Sequence, residues 1–352
     1  MKDNINQSRI LSDFSELAFH KNIPMHTTLE ITHGCNFSCK HCYNFDRTQK
    51  KSFYDESEIL SKDEILNAID QVCEAGGMFI NLSGGEPLTS PYIYDYIKRV
   101  KFNNSMARLK TNFSLINPER ASLLYHAGID QVEGSIYGID EKTYEIFTSK
   151  KNFKNSIDGI LELKKFNIDI TANIIIHKYN YKDLDKMITL LTSLDVGYEF
   201  SDEITSRYDK SDSSCDMQIN DQEFEELLLG SRGEAFWYNN KEKSLQCSCA
   251  KNVCAIALNG DVYPCIGAPI KAGNIKEDNF KKIWEESDLF NEIRGIKSAN
   301  FKECMKCDYI ENCSRSSGTT YINTGDYYGC DEQTLSQAKI RNKHKSKFKN
   351  AK

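Results

Sequence analysis

The spacing of apolar and polar positions changes period repeatedly along the chain, and each change marks an element. Residues 26–32, His-Thr-Thr-Leu-Glu-Ile-Thr, have the β-branched composition of a strand. Residues 61–75 open on Ser61 with Glu64 three positions on. They repeat apolar side chains at Ile65, Ile69, Val72 and Cys73, then stop at Gly76 and Gly77. That is a capped amphipathic helix with a glycine stop. The alternation continues with a strand over 78–83, a helix over 91–100 behind Ser90 and a strand over 108–113. Next come a helix over Pro118–Ala127 capped by Asn117, and a strand over 131–137. A helix over 155–166 leads to 168–176, the most β-branched run in the chain, and a helix over 182–194 precedes a strand over 197–204.

Strands separated by helices predict parallel βαβ units. Six units are too few for a closed eight-fold barrel, so the expected fold is α/β, a partial (β/α)6 TIM-like barrel with its chemistry at the carboxyl ends of the strands. Beyond about residue 240 the pattern becomes short segments punctuated by cysteine and by Gly260, Gly267 and Gly273, which reads as a small second domain. The expected division is an extension over 1–24, the barrel over 25–240, a cysteine-rich domain over 241–335 and a basic tail over 336–352.

At 352 residues the chain can bury a sizeable core without covalent staples. No stretch approaches the roughly 20 apolar residues of a membrane helix. The first residues, MKDNINQSRI, carry no hydrophobic signal segment, so the expected location is the cytoplasm. A net charge of −6 argues against a nucleic-acid-binding surface. The anomaly is 13 cysteines, which in a reducing compartment read as metal or cluster ligands.

Cys35, Cys39 and Cys42 lie in one loop directly after the first strand. Structural zinc prefers four ligands in separated pairs, so a zinc knuckle here would need His33 or His41. An iron–sulfur cluster accepts a tight single-loop run of thiolates. Three ligands on a four-iron cube leave one iron open, as substrate-activating chemistry requires.

A Cys-x3-Cys-x2-Cys loop after the first strand of a partial barrel resembles the radical S-adenosylmethionine superfamily. The resemblance implies a [4Fe-4S] cluster on Cys35, Cys39 and Cys42, with S-adenosylmethionine chelating the open iron. One electron then cleaves the sulfonium, and the resulting 5′-deoxyadenosyl radical abstracts a substrate hydrogen. Ser83-Gly84-Gly85-Glu86 after the second strand resembles the family's Gly-Gly-Glu motif at the methionine amine, the glycines allowing close approach and the carboxylate accepting from an ammonium. Asn112 and Ser135, ending the third and fourth strands, resemble family residues near the ribose and carboxylate. His41 occupies the place of an aromatic whose backbone approaches adenine. By alternation Glu133, Ser135 and Tyr137 share one face, opposite Val132, Gly134 and Ile136, and only one of these faces is core.

The second group comprises Cys247, Cys249, Cys254 and Cys265, then Cys304, Cys307, Cys313 and Cys330. From chemistry alone zinc competes here, since Cys304, Cys307 and Cys313 with one more thiol make a four-thiolate site. The spacing also resembles the SPASM extension of peptide- and protein-modifying radical enzymes, which holds auxiliary [4Fe-4S] clusters. Gly260-x4-Cys265 and Cys304-x2-Cys307-x5-Cys313 match its pattern, whereas Ser317 stands where another cysteine is expected. The resemblance thus implies one or two auxiliary clusters, the second complete on Cys304, Cys307, Cys313 and Cys330. At the first, Cys247, Cys249 and Cys254 could compensate for Ser317, or one iron could stay open.

Cys73 falls on the apolar face of its helix and reads as core. Cys215, in a polar stretch after the sixth strand, is expected at the barrel mouth as a substrate-facing or incidental thiol. The tail after Ala338 reads as a solvated basic end, or as a docking patch for an acidic leader. The functional expectation is an oxygen-sensitive enzyme that modifies a ribosomally made precursor peptide, forming a thioether or related crosslink. Such a crosslink removes a hydrogen atom and then an electron and a proton, and the auxiliary clusters offer a place for that electron. Sulfatase-type oxidation of Ser or Cys and peptide epimerisation are alternatives, and a zinc-stabilised binding module without catalysis is an alternative of another class. Expected partners are the peptide, a separate leader-recognition protein and an electron donor such as flavodoxin or ferredoxin, with no nucleic acid and no membrane.

Overall fold

The structure, a computed structural model, describes residues 2–49, 52–240, 245 and 247–348. Six parallel strands form its main sheet: β1 His26–Glu30, β2 Phe79–Ser83, β3 Met106–Thr111, β4 Gln131–Ile136, β5 Asp169–Ile175 and β6 Gly197–Ser201. Each pairs with the next, so that Thr28 faces Asn81, Lys110 faces Glu133 and Ser135 faces Asn173. The helices between them form where their caps are written. Ser61 and Glu64 make a reciprocal capping box on helix Lys62–Glu74, and Asn117 caps Pro118–Ala127. Such a cap contributes about 1 kcal/mol.

Leu29, Leu82, Leu109, Val132, Ile136 and Ile174 point outward into the helix-covered core and are fully buried. Parallel strands covered by apolar layers on both faces read as continuous hydrophobic runs. Here β3, β4 and β5 alternate instead, because their inner face carries Lys110, Glu133, Ser135 and Asn173 onto a polar cavity. The face of Val132 and Ile136 is therefore core, and the face of Ser135 lines the lumen.

The cysteine-rich segment is not hung on a linker. Within it, β7 Val253–Ile256 pairs parallel with β1, and β8 Asp261–Tyr263 and β9 Gly273–Asn274 extend the same sheet antiparallel. The sheet thus has nine strands in the order β6-β5-β4-β3-β2-β1-β7-β8-β9. Most of the extension is helix Lys2–Lys21, and Ser15 of that helix accepts from Asn252. The tail differs from the solvated end expected of it. Helix Glu332–Lys343 runs through its start, Arg341 is buried with its Nε donating to the Phe236 carbonyl at 2.7 Å, and Phe348 stacks on Trp237. Cys73 is half-buried against the core rather than fully inside it.

Helix Glu141–Thr148 lies in a stretch that the apolar pattern leaves unassigned. Asp140 caps it, and Tyr144 and Phe147 bury completely. Its last carbonyls matter for the site.

Candidate active site

The cysteine loop after β1 is held from every side. Gly85 N–H donates to the Thr32 carbonyl and Glu86 N–H to the Gly34 carbonyl, both at 2.7 Å. A Cβ on Gly85 would stand 2.2 Å from the Gly34 oxygen, so glycine is required for this contact. The close approach serves the cysteine loop itself. From the other side, Ser38 N–H donates to the Thr148 carbonyl and Lys40 N–H to the Phe147 carbonyl, at the end of helix Glu141–Thr148. Arg207, almost fully buried after β6, donates from Nη2 to the Lys40 carbonyl at 2.9 Å and from Nε to the Cys42 carbonyl at 3.2 Å.

Held this way, Cys35, Cys39 and Cys42 share the wall of one cavity of about 370 Å³ with Ser83, Gly84, Gly85, Asn112, Ser135 and the residue His41. Cys35 accepts a hydrogen bond from the Phe37 amide and Cys42 accepts one from Arg47 Nε, while Tyr137 adjoins Cys39 on the cavity wall. Burial pushes the Cys35 thiol up to about 11 and Cys39 well above its ordinary value, with Arg47 opposing both shifts. These thiols ionise on binding a metal centre, and the donor set is the soft one that iron–sulfur clusters take. The same cavity holds Asn81, buried with its Oδ1 unpartnered, which suits a ligand carrying hydrogen-bond donors. A sulfur cluster and a polar ligand therefore fit these residues.

Several predicted residues have other tasks. The Glu86 carboxylate lies off the cavity wall and is fully buried. It accepts from Thr111 Oγ1 and Asn112 N at 2.8 Å and from Leu88 N at 3.1 Å, because three donors of its own fold surround it. Asn112 bridges to the cysteine loop, its Nδ2 donating to Asn36 Oδ1. The His41 ring stacks on Phe147, whose other neighbour is the stacked ring of His177, and burial lowers His41 to about 3. Cys215 does not reach the cavity wall. It sits 3.8 Å from Ser206 Oγ, in the segment whose Ser211 and Ser213 anchor Arg207. Arg47, Tyr137 and the Lys110–Glu133 ion pair on the cavity wall, and Arg207 behind the cysteine loop's carbonyls, were not singled out for this site by sequence reasoning, which offered no local motif for them.

The second group of cysteines divides. Cys304, Cys307, Cys313 and Cys330 ring a separate cavity of about 190 Å³ with Arg315. Cys249 contacts both Cys247 and Cys265, and Cys247 also meets the Tyr327 hydroxyl at 3.5 Å and the Ser317 amide. Cys254 lies within electrostatic reach of Cys265 but makes its hydrogen-bond contact elsewhere. Its place on β7 turns it into the core beside Thr27 Oγ1 at 3.3 Å, and burial pushes it up to about 12. Ser317 does adjoin the first group, but its hydroxyl accepts from Arg315 Nη1 at 3.0 Å. Among the described residues no three His, Cys, Asp or Glu side chains close on a single ion, so these thiols surround spaces rather than points.

A family model for the radical SAM superfamily matches residues 29–191, and one for the SPASM iron–sulfur cluster-binding domain matches residues 247–308. The chain belongs to the radical SAM superfamily and carries a SPASM domain. Its radical SAM domain accordingly takes S-adenosylmethionine and a [4Fe-4S] cluster, and the SPASM domain takes auxiliary iron–sulfur clusters. The AdoMet-dependent heme synthase of Methanosarcina barkeri is 28% identical over 346 residues, covering 87% of this chain and 95% of that protein. The mycofactocin maturase MftC of Mycolicibacterium smegmatis is 24% identical over 315 residues, covering 82% of this chain and 77% of that one. Streptococcus suis SuiB bound to S-adenosylmethionine superposes with a TM-score of 0.67 at 14% identity, covering 89% of this chain and 77% of SuiB. These structures share the fold. The radical SAM enzyme has no helix, among the described residues, that is long and apolar enough to cross a membrane.

Proposed function

We propose that this radical SAM enzyme oxidises a ribosomally made precursor peptide, forming a thioether or related crosslink. The observation that carries the reading is one polar cavity at the carboxyl ends of the strands, with Cys35, Cys39 and Cys42 on its wall, together with a separate cavity ringed by Cys304, Cys307, Cys313 and Cys330. Cys35, Cys39 and Cys42 would hold the first cluster, and Cys304, Cys307, Cys313 and Cys330 an auxiliary one. Ser83, Gly84, Gly85, Asn112, Ser135 and the His41 backbone would bound S-adenosylmethionine. Bound there, cluster and S-adenosylmethionine supply one-electron cleavage of the sulfonium and abstraction of a hydrogen atom. The protein's share is orientation and exclusion of water, through the clamped loop and the Phe37, Tyr137, Tyr144 and Phe147 cluster behind it. The MftC relative and the fold shared with SuiB, a protein solved with its precursor peptide SuiA, support a peptide substrate. Electron delivery falls to a flavodoxin or ferredoxin, and leader recognition to a separate protein. The cytoplasm is the compartment that reduced thiols of this kind need.

A second reading, a porphyrin substrate on the way to haem, is favoured by the M. barkeri relative, which matches at higher identity and over nearly its whole length. The test is anaerobic turnover of the reconstituted, dithionite-reduced enzyme with S-adenosylmethionine and either a candidate precursor peptide or a carboxylated iron porphyrin. Our reading expects the peptide to lose two mass units for each 5′-deoxyadenosine formed, and to do so equally with Cys215→Ala. Conversion of the porphyrin alone would overturn it in favour of haem synthesis. A gain of one mass unit in deuterated water, abolished by Cys215→Ala, would overturn it in favour of epimerisation.

A further inference from the structure

Of the two hydrogen bonds to the first-loop thiols, one brings a charge: Arg47 Nε to Cys42 Sγ, at 3.2 Å. The guanidinium is not free to swing away. Its Nη1 donates to the His33 carbonyl at 2.7 Å, and its Cζ lies 4.7 Å from the centre of the fully buried Phe45 ring. It also lines the cavity that Cys35, Cys39 and Cys42 share, and it acts on the thiols of Cys35 and Cys39 as well as on Cys42. A fixed cation beside three thiolates has a definite redox consequence. Reduction adds one negative charge to a cluster, and hydrogen bonds to its sulfurs together with nearby positive charge stabilise that added electron.

We propose that Arg47 is a positioning residue that sets the reduction potential of the first cluster, raising it through its hydrogen bond and charge at Cys42. The inference rests on the assignment of Cys35, Cys39 and Cys42 as cluster ligands, and it is independent of the identity of the substrate. The donor at Cys35, the Phe37 amide, is neutral, so Arg47 is the donor to these thiols whose removal changes the charge beside them.

The experiment is an EPR-monitored redox titration of the full reconstituted chain without substrate, following the signal that S-adenosylmethionine perturbs. Wild type is compared with Arg47→Met, which keeps bulk but loses donor and charge, and with Arg47→Lys, which keeps charge alone. Arg47→Met is expected to load the same iron as wild type. Its one-electron reduction equilibrium should be about tenfold less favourable, a potential 59 mV more negative. Arg47→Lys should show less than half that shift. An Arg47→Met protein with full iron and the wild-type potential would refute the proposal. So would loss of this cluster's iron from both variants, which would make Arg47 an assembly residue. Absence of any signal perturbed by S-adenosylmethionine in wild type would instead refute the ligand assignment beneath it.

Discussion

Replacing Glu86 by Gln should damage the protein before any ligand is added. In the structure both carboxylate oxygens are committed: one accepts from Thr111 Oγ1 and Leu88 N, the other from Asn112 N. An amide can present its single oxygen to one side only. If it keeps the first pair, its NH₂ meets the Asn112 N–H, and a buried donor loses its partner. Losing a charge-assisted bond and stranding that donor costs about 3 kcal/mol in total. Thr111→Val removes that donor and also the acceptor of the buried Phe113 N–H, and should cost about 2 kcal/mol. Because the two side chains touch, the double variant should be less destabilised than the sum, by about 1 kcal/mol. The assay is thermal unfolding of the reconstituted protein without S-adenosylmethionine, followed by Trp fluorescence, with S-adenosylmethionine affinity measured separately by equilibrium dialysis. The Glu86→Gln midpoint should fall by about 4 °C for a chain of 352 residues. If the variant melts like wild type yet fails to bind S-adenosylmethionine, the carboxylate works on the ligand and the reasoning is refuted.

Two further outcomes follow from the geometry. Cys254→Ala should retain the iron of the first auxiliary centre by iron analysis and Mössbauer spectroscopy, whereas Cys249→Ala or Cys265→Ala should lose it; equal losses from all three would return Cys254 to the ligand set. His177 is stacked on Phe147, and donation from Nε2 to the Tyr137 carbonyl leaves Nδ1 to accept from Tyr179 N, so burial lowers it from 6.5 to about 4. The unfolded chain then binds a proton between those values that the folded chain refuses, so stability is lost as pH falls through that window. Between pH 7 and 5 this amounts to about 2 kcal/mol, which His177→Gln should abolish in chemical or thermal unfolding; an unchanged pH slope would refute it.

What could be read from the chain alone was whatever is local in it. The Ser61 and Glu64 capping box, the Asn117 cap and the cysteine spacing each lie within a few residues, and each stands where expected. Alternation in β4 left two faces open, and the structure resolves them through the neighbours of Val132 and Ile136 in the core. Helix Glu141–Thr148 escaped because its eight residues include two threonines and two aromatics, weak helix formers held by burial of Tyr144 and Phe147. The clamps on the cysteine loop were invisible for another reason. Arg207 lies 165 residues beyond Cys42, and nothing near it in sequence announces a partner. Spacing counts cysteines without their side-chain direction, so the burial of Cys254 beside Thr27 on β7 was not legible in it.

The central claim is that Cys35, Cys39 and Cys42 hold the cluster that cleaves S-adenosylmethionine, separately from the auxiliary thiols. Changing all three to Ala and measuring 5′-deoxyadenosine under dithionite, alongside total iron, tests it most directly. The account predicts no 5′-deoxyadenosine, with the auxiliary iron still bound. Continued 5′-deoxyadenosine formation by the triple variant would contradict it.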